Sequence, residues 1–219
     1  NVYNVLVNKY VLISFLCFSF LEVCSQEKAD SDGHNKFYYS DGTLSSEGVL
    51  ENGQPEGYWK NYYESGVLKS EGNRRHFELD STWKFYNEEG IITQLITYKE
   101  GKRNGETRKY NNEGFLVSLI PFVDDRRQGI EYNYFNNGVV RSETPFDIGH
   151  ENGKAYEFND KGDIITIRTY QNGILTRQEY INRKSPEKEK NGLWKEFYDD
   201  RKIKSEGRFK NGERDGYWK

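Results

Sequence analysis

From Phe37 to Lys219, polar and apolar residues alternate in short runs that restart every 24 residues. An aromatic stands at Tyr38, Tyr62, Tyr86, Tyr110, Tyr134 and Phe158. An aliphatic follows at Leu44, Leu68, Ile92, Leu116, Val140 and Ile164, and between them lie Gly42, Gly66, Gly90, Gly114, Gly138 and Gly162. Alternation flanking a turn residue predicts a β-hairpin, and a succession of hairpins predicts an antiparallel meander. The columns also select the turn. A three-residue loop, Glu64-Ser65-Gly66 in the second copy, sets Tyr62 opposite Leu68 and puts the glycine in the left-handed region. A seventh copy keeps Phe197 and Ile203 but carries Arg201 in the glycine slot, which predicts a strained or altered turn. The expected fold is all-β: roughly seven hairpins in one long twisted sheet of about 14 strands, spaced about 4.8 Å apart.

Continuing the alternation away from the loop sorts side chains onto two faces. Tyr58, Lys60, Tyr62, Leu68, Ser70 and Gly72 fall on one, and Trp59, Asn61, Tyr63, Val67, Lys69 and Glu71 on the other. Turns between hairpins are signalled by Asn52-Gly53, Gly101, Gly149, Asn172-Gly173 and Asn211-Gly212, with further glycines at Gly57, Gly105, Gly129, Gly153 and Gly216. The second copy reads "HFELDS" at this place, so its loop is expected to be irregular. Gly162 and Arg201 are 39 residues apart, 24 plus 15. The surplus falls in the charged stretch "INRKSPEKEKNG", read as an inserted loop at about 180–192.

The first residues have a different pattern. After Lys9 comes "YVLISFLCFSFL", an apolar run short of the roughly 20 residues that cross a bilayer. A basic residue, an apolar core and small residues near Ser25 predict a secretory leader over 1–25, then a polar tether over 26–36. The protein is therefore expected in the periplasm, the cell envelope or the medium. Lipoprotein processing at Cys24, with an acyl anchor, is the alternative. Cys17 and Cys24 are the two cysteines, so the mature fold is expected to lack disulfides and thiolate chemistry.

Composition narrows the function classes. Aromatics make up 16% of the chain, which argues against a disordered polymer. With 32 basic and 35 acidic residues, there is no electrostatic case for nucleic acid. His34, His76 and His150 show no metal-ligand spacing, phosphate-loop motifs are absent, and nothing selects a catalytic pair among the carboxylates. No cofactor or metal is expected, and the reading is of a non-enzyme.

The phrase Y-x-x-x-G-x-L-x-x-E-G, seen in "YYESGVLKSEGNRR", together with "EGYWKNYY" and "KNGERDGYWK", resembles the MORN-repeat variant family. The resemblance covers about Phe37 to Lys219 and implies a hairpin array with a protein-binding or scaffolding role. Bacterial relatives are commonly labelled antitoxins of toxin–antitoxin pairs. One repeat slot holds Trp59, Trp83, Trp194 and Trp218, but Thr107, Glu131 and Ala155 in the middle copies. With Tyr63, these tryptophans are the candidate partner-binding residues, as exposed aromatic anchors for a protein of unspecified identity. A basic column of Lys60, Lys84, Arg108 and Lys195 raises anionic lipid or the envelope surface as an alternative ligand. A cell-wall glycan-modifying enzyme is the distant third reading.

Overall fold

The computed structural model describes residues 32–219. The expected leader with Cys24 and most of the tether lie outside the described residues. Eighteen strands follow in chain order. They are β1 (Gly33–Tyr38), β2 (Leu44–Glu51), β3 (Gln54–Tyr62), β4 (Leu68–Arg75), β5 (Glu78–Tyr86) and β6 (Ile92–Lys99). Next come β7 (Lys102–Tyr110), β8 (Leu116–Val123), β9 (Arg126–Arg127), β10 (Gly129–Tyr134), β11 (Val140–Asp147) and β12 (His150–Glu151). The last are β13 (Gly153–Phe158), β14 (Ile164–Gln171), β15 (Ile174–Tyr180), β16 (Gly192–Phe197), β17 (Ile203–Lys210) and β18 (Glu213–Asp215). The fold is all-β. β1 through β15 form one antiparallel meander of 15 strands, while β16, β17 and β18 form a separate sheet of 3 strands. The single continuous sheet expected from the period is thus interrupted where the extra 15 residues enter. β1 starts at Gly33, so it takes up the end of the expected tether and His34 with it.

Within each hairpin the turn is the three-residue loop. Tyr62 lies opposite Leu68, and the Gly66 amide donates to the Tyr63 carbonyl at 2.8 Å. The six slot glycines have φ between 79° and 88°, and Arg201 adopts 63° in the same hydrogen-bonded turn. Arg201 is therefore in a left-handed conformation uncommon for a residue with a Cβ, but the turn is unchanged. The loop at "HFELDS" is regular, contrary to expectation. His76 and Phe77 have φ of 53° and 68°, as in a two-residue type I′ turn. Glu56 from the preceding hairpin holds it, accepting the His76 and Phe77 amides at 3.2 and 2.7 Å.

The face assignment is corrected by one residue. Tyr62 is opposite Leu68, but Asn61 is opposite Ser70, leaving Lys69 as a bulge. An extra residue moves everything beyond it to the other side. Trp59 is therefore opposite Gly72 and shares a face with Asn61 and Ser70, while Lys60 is opposite Glu71 and shares a face with Tyr58. The same shift recurs in each hairpin, for example between Phe85 and Tyr86 and between Lys109 and Tyr110. Two strands are also split in mid-course, as β9/β10 and β12/β13. Each break lies beside a proline, Pro121 or Pro145, which has no N–H for the ladder. Gly129 and Gly153, both at φ 107°, pack against those proline rings.

Candidate functional site

The tryptophan face is the packed face. Leu50, Trp59 and Trp83 form a buried cluster, backed by Phe37, Leu79, Phe85 and Tyr98. Trp59 is 5% exposed and Trp83 3%, so neither is a free aromatic anchor. Their indole nitrogens are satisfied locally: Trp59 Nε1 donates to the Val49 carbonyl at 3.0 Å, and Trp83 Nε1 to that of Asn73 at 2.8 Å. Each ring lies over a glycine of the preceding strand, Gly48 under Trp59 and Gly72 under Trp83, so tightly that a Cβ there would overlap the indole. Gly207 and Trp218 repeat the arrangement. This explains the E-G step of the repeat, since the glycine is the floor on which the next tryptophan rests. The middle copies fill the same volume differently. Ile96 faces Thr107, and Ile120 precedes Glu131 by the same eleven residues that separate Gly72 from Trp83. Thr107 and Ala155, each 4% exposed, are as buried as the indoles they replace. Absence of tryptophan there is a change of packing, not of exposure.

Trp194 and Trp218 are half-buried in the smaller sheet, edge-on to Phe209 at 5.5 and 5.0 Å. Lys190 and Arg214 each lie 4.5 Å from one of these rings. Tyr63 is likewise engaged: its hydroxyl donates to the Tyr86 carbonyl at 2.7 Å, and Tyr39 repeats the bond to Tyr62 at 2.6 Å. The turns are thereby tied together along the array.

The opposite face carries a ladder of Lys, Glu and Tyr. Glu47 accepts the Tyr62 hydroxyl at 2.7 Å, and Glu71 that of Tyr86 at 2.8 Å. The Tyr62 bond holds the Glu47 carboxyl below its usual range. Burial raises Glu71, but bonds from Tyr58, Tyr86 and Lys84 outweigh it and the net shift is downward. Burial, reinforced by the carboxylate partners, pushes Tyr58, Tyr62 and Tyr86 up to about 12. Most of the basic column is neutralised by neighbouring carboxylates. Lys84 pairs with Glu71 at 3.3 Å, Arg108 with Glu106 at 2.6 Å, and Lys195 with Glu179 at 2.6 Å and Glu206 at 3.3 Å. A face so paired offers little uncompensated charge to anionic lipid.

Two features were not anticipated from the sequence. At the end of the main sheet, β15 pairs with β14 on one side and, among the described residues, with no strand on the other. Ile174, Leu175 and Tyr180 are 69%, 47% and 54% exposed along it. Beside this edge, the displacement of β16 opens a cleft of about 1000 Å³ floored by Ile164, Ile165, Trp194 and Phe197. Asn182 closes its inner end as a substitute rung. Its amide donates to the carbonyls of Ile164 and Lys195, each at 3.0 Å, and accepts the Lys195 N–H at 2.9 Å. Among the described residues, no group of three or more His, Cys, Asp or Glu could hold a metal.

The MORN repeat variant pattern matches residues 31–54, 55–76, 79–100, 127–147 and 190–211, together more than half of the chain. No curated protein matches it. Among solved structures, a porin-like protein from Bacteroides uniformis is similar over 67% of this chain and 85% of that one, at 11% identity and a TM-score of 0.21. The family matches begin and end close to the hairpin boundaries, and three of them carry the E-G glycine on which a tryptophan rests: the chain belongs to the MORN repeat variant family.

Proposed function

We propose that this chain is a non-catalytic binding module that captures a protein partner by strand addition at the open edge of β15. The observation that carries this reading is the edge itself. It combines a backbone edge, unpaired by any strand among the described residues, with exposed Ile174, Leu175 and Tyr180, while Trp59 and Trp83 are packed inward and Trp194 and Trp218 lie half-buried against Phe209. A free edge with exposed apolar side chains supplies both backbone hydrogen bonds and side-chain contacts to an incoming strand. Neutralisation of a toxin-like partner would be one instance of this activity, and export to the envelope is the setting we propose for it.

The test is capture of a discrete polypeptide by the immobilised full chain, followed by cross-linking from a photoreactive residue at Leu175. Replacing both Ile174 and Leu175 with lysine should abolish capture and leave the circular dichroism spectrum and melting temperature unchanged. Capture that survives the double lysine variant, or cross-links that map away from β15, would refute the edge reading. Binding to anionic vesicles without any polypeptide would favour the lipid alternative.

A further inference from the structure

The glutamate column on the ladder face has one member out of keeping with the rest. Glu47 lies opposite Lys36 and Lys60 and accepts the Tyr62 hydroxyl. Glu71 lies opposite Lys60 and Lys84 and accepts the Tyr86 hydroxyl. Glu143 holds the same place three repeats later, but Tyr132 and Tyr156 lie opposite it. Phe158, in the slot of Tyr62 and Tyr86, has no hydroxyl. All three in-sheet partners are missing, although the Glu143 side chain is only 10% exposed. A carboxylate so buried needs a cation and hydrogen bonds.

The cation is Arg201, 58 residues further on, in the turn that joins β16 and β17 of the other sheet. Its Nη2 donates to Glu143 Oε1 at 2.6 Å while Nη1 donates to Oε2, making a bidentate pair. The guanidinium lies 4.9 Å from the Tyr156 ring and 6.0 Å from that of Phe158. A buried carboxylate with aromatic faces beside it suits a flat, forked cation and discriminates against a lysine ammonium. The Arg201 backbone reaches it from a left-handed φ of 63°, in a slot that six other copies give to glycine.

We propose that Glu143, Tyr132, Tyr156 and Phe158 form a receptor for an arginine side chain of a second polypeptide, which Arg201 fills as a displaceable latch. The latch is at the solvent boundary, with the Arg201 side chain 41% exposed, so a competing arginine has access. It belongs to a small sheet that follows the inserted segment rather than to the main ladder. Occupancy by Arg201 lowers the apparent affinity for any competitor by the fraction of molecules in which the receptor is vacant. This surface is distinct from the β15 edge, so failure of either test leaves the other standing.

The experiment is an NMR titration of the full chain with N-acetyl-arginine amide, with N-acetyl-lysine amide as the control. Arg201→Gly restores the residue of the other copies and vacates the receptor. It should bind the arginine probe about tenfold more tightly than the wild type does, with shifts at Tyr156 and Phe158 and little response to lysine. Adding Glu143→Gln should abolish that binding. Arg201→Lys, a poorer occupant, provides a second arm and should be displaced by the arginine probe more readily than wild-type Arg201. Equal response to both probes, no shifts at Tyr156 and Phe158 in folded variants, or binding indifferent to Glu143→Gln would overturn the proposal.

Discussion

A single missing Cβ decides how each end of the array is packed. Gly72 is required because the Trp83 ring occupies the space where a side chain would begin. Gly72→Ala should therefore destabilise by about 1–3 kcal/mol through overpacking, read as a lowered urea midpoint. The middle of the array suggests the compensating change. Ile96 against Thr107 fills the same place, so Gly72→Ile combined with Trp83→Thr should recover much of the loss in a double-mutant cycle. Additive losses would mean that the two positions do not share a volume. By the same reasoning, Trp59→Ala should cost about 3–5 kcal/mol as a core truncation.

At the scale of the hairpin, neighbouring copies are joined by carboxylates and phenols as well as by the backbone. Glu47 and Glu71 titrate below their ordinary value in the folded state. The unfolded chain thus binds more protons in acid. The stability they contribute is complete above the ordinary carboxylate pKa and is lost as pH falls through the depressed folded value. The tyrosines work in the opposite direction. Tyr62 and Tyr86 are held up to about 12, so their contribution is complete below the ordinary phenol pKa and declines as pH rises toward 12. Tyr62→Phe should flatten both limbs of a pH–stability curve, because Glu47 then titrates closer to its ordinary value and the raised phenol is gone. An unaltered acid limb would show that the Tyr62–Glu47 bond does not couple to folding.

Across the whole molecule, the inserted residues decide where the array ends. In the regular phase, Gly192 occupies the slot of Gly57, and both adopt a left-handed conformation, with φ of 78° and 67°. The segment Ile174–Tyr180 already sits beside β14 in that slot, so β16 is displaced into its own sheet. Deleting residues 177–191, the surplus 15, joins Thr176 to Gly192 and restores the period. The shortened chain should form one continuous sheet in which Thr166 pairs near Glu196, with hydrogen-exchange protection passing from β14 into β16. It should also lose capture at the β15 edge. A deletion variant that still melts as two sheets would show that the insertion is not what divides them.

Much of this was legible in the chain, because a β-hairpin is specified locally. The turn glycines need positive φ wherever they sit, so the 24-residue period, the three-residue loop and the pairing of Tyr62 with Leu68 could be read from spacing alone. The face of each tryptophan could not. A bulge at Lys69 shifts the alternation by one, and no composition rule marks that residue; the E-G glycine was the available signal, visible once paired with a tryptophan eleven residues later. Residues far apart in sequence were beyond such reading. Whether Glu143 meets a lysine in its own sheet or Arg201 from another, and whether β15 is covered or left open, depend on how the inserted segment sets the last hairpin. Local pattern determined the strands and their turns. Long-range placement of the C-terminal sheet decided which edge is free and which carboxylate takes an arginine, because those contacts join parts of the chain that the repeat does not relate.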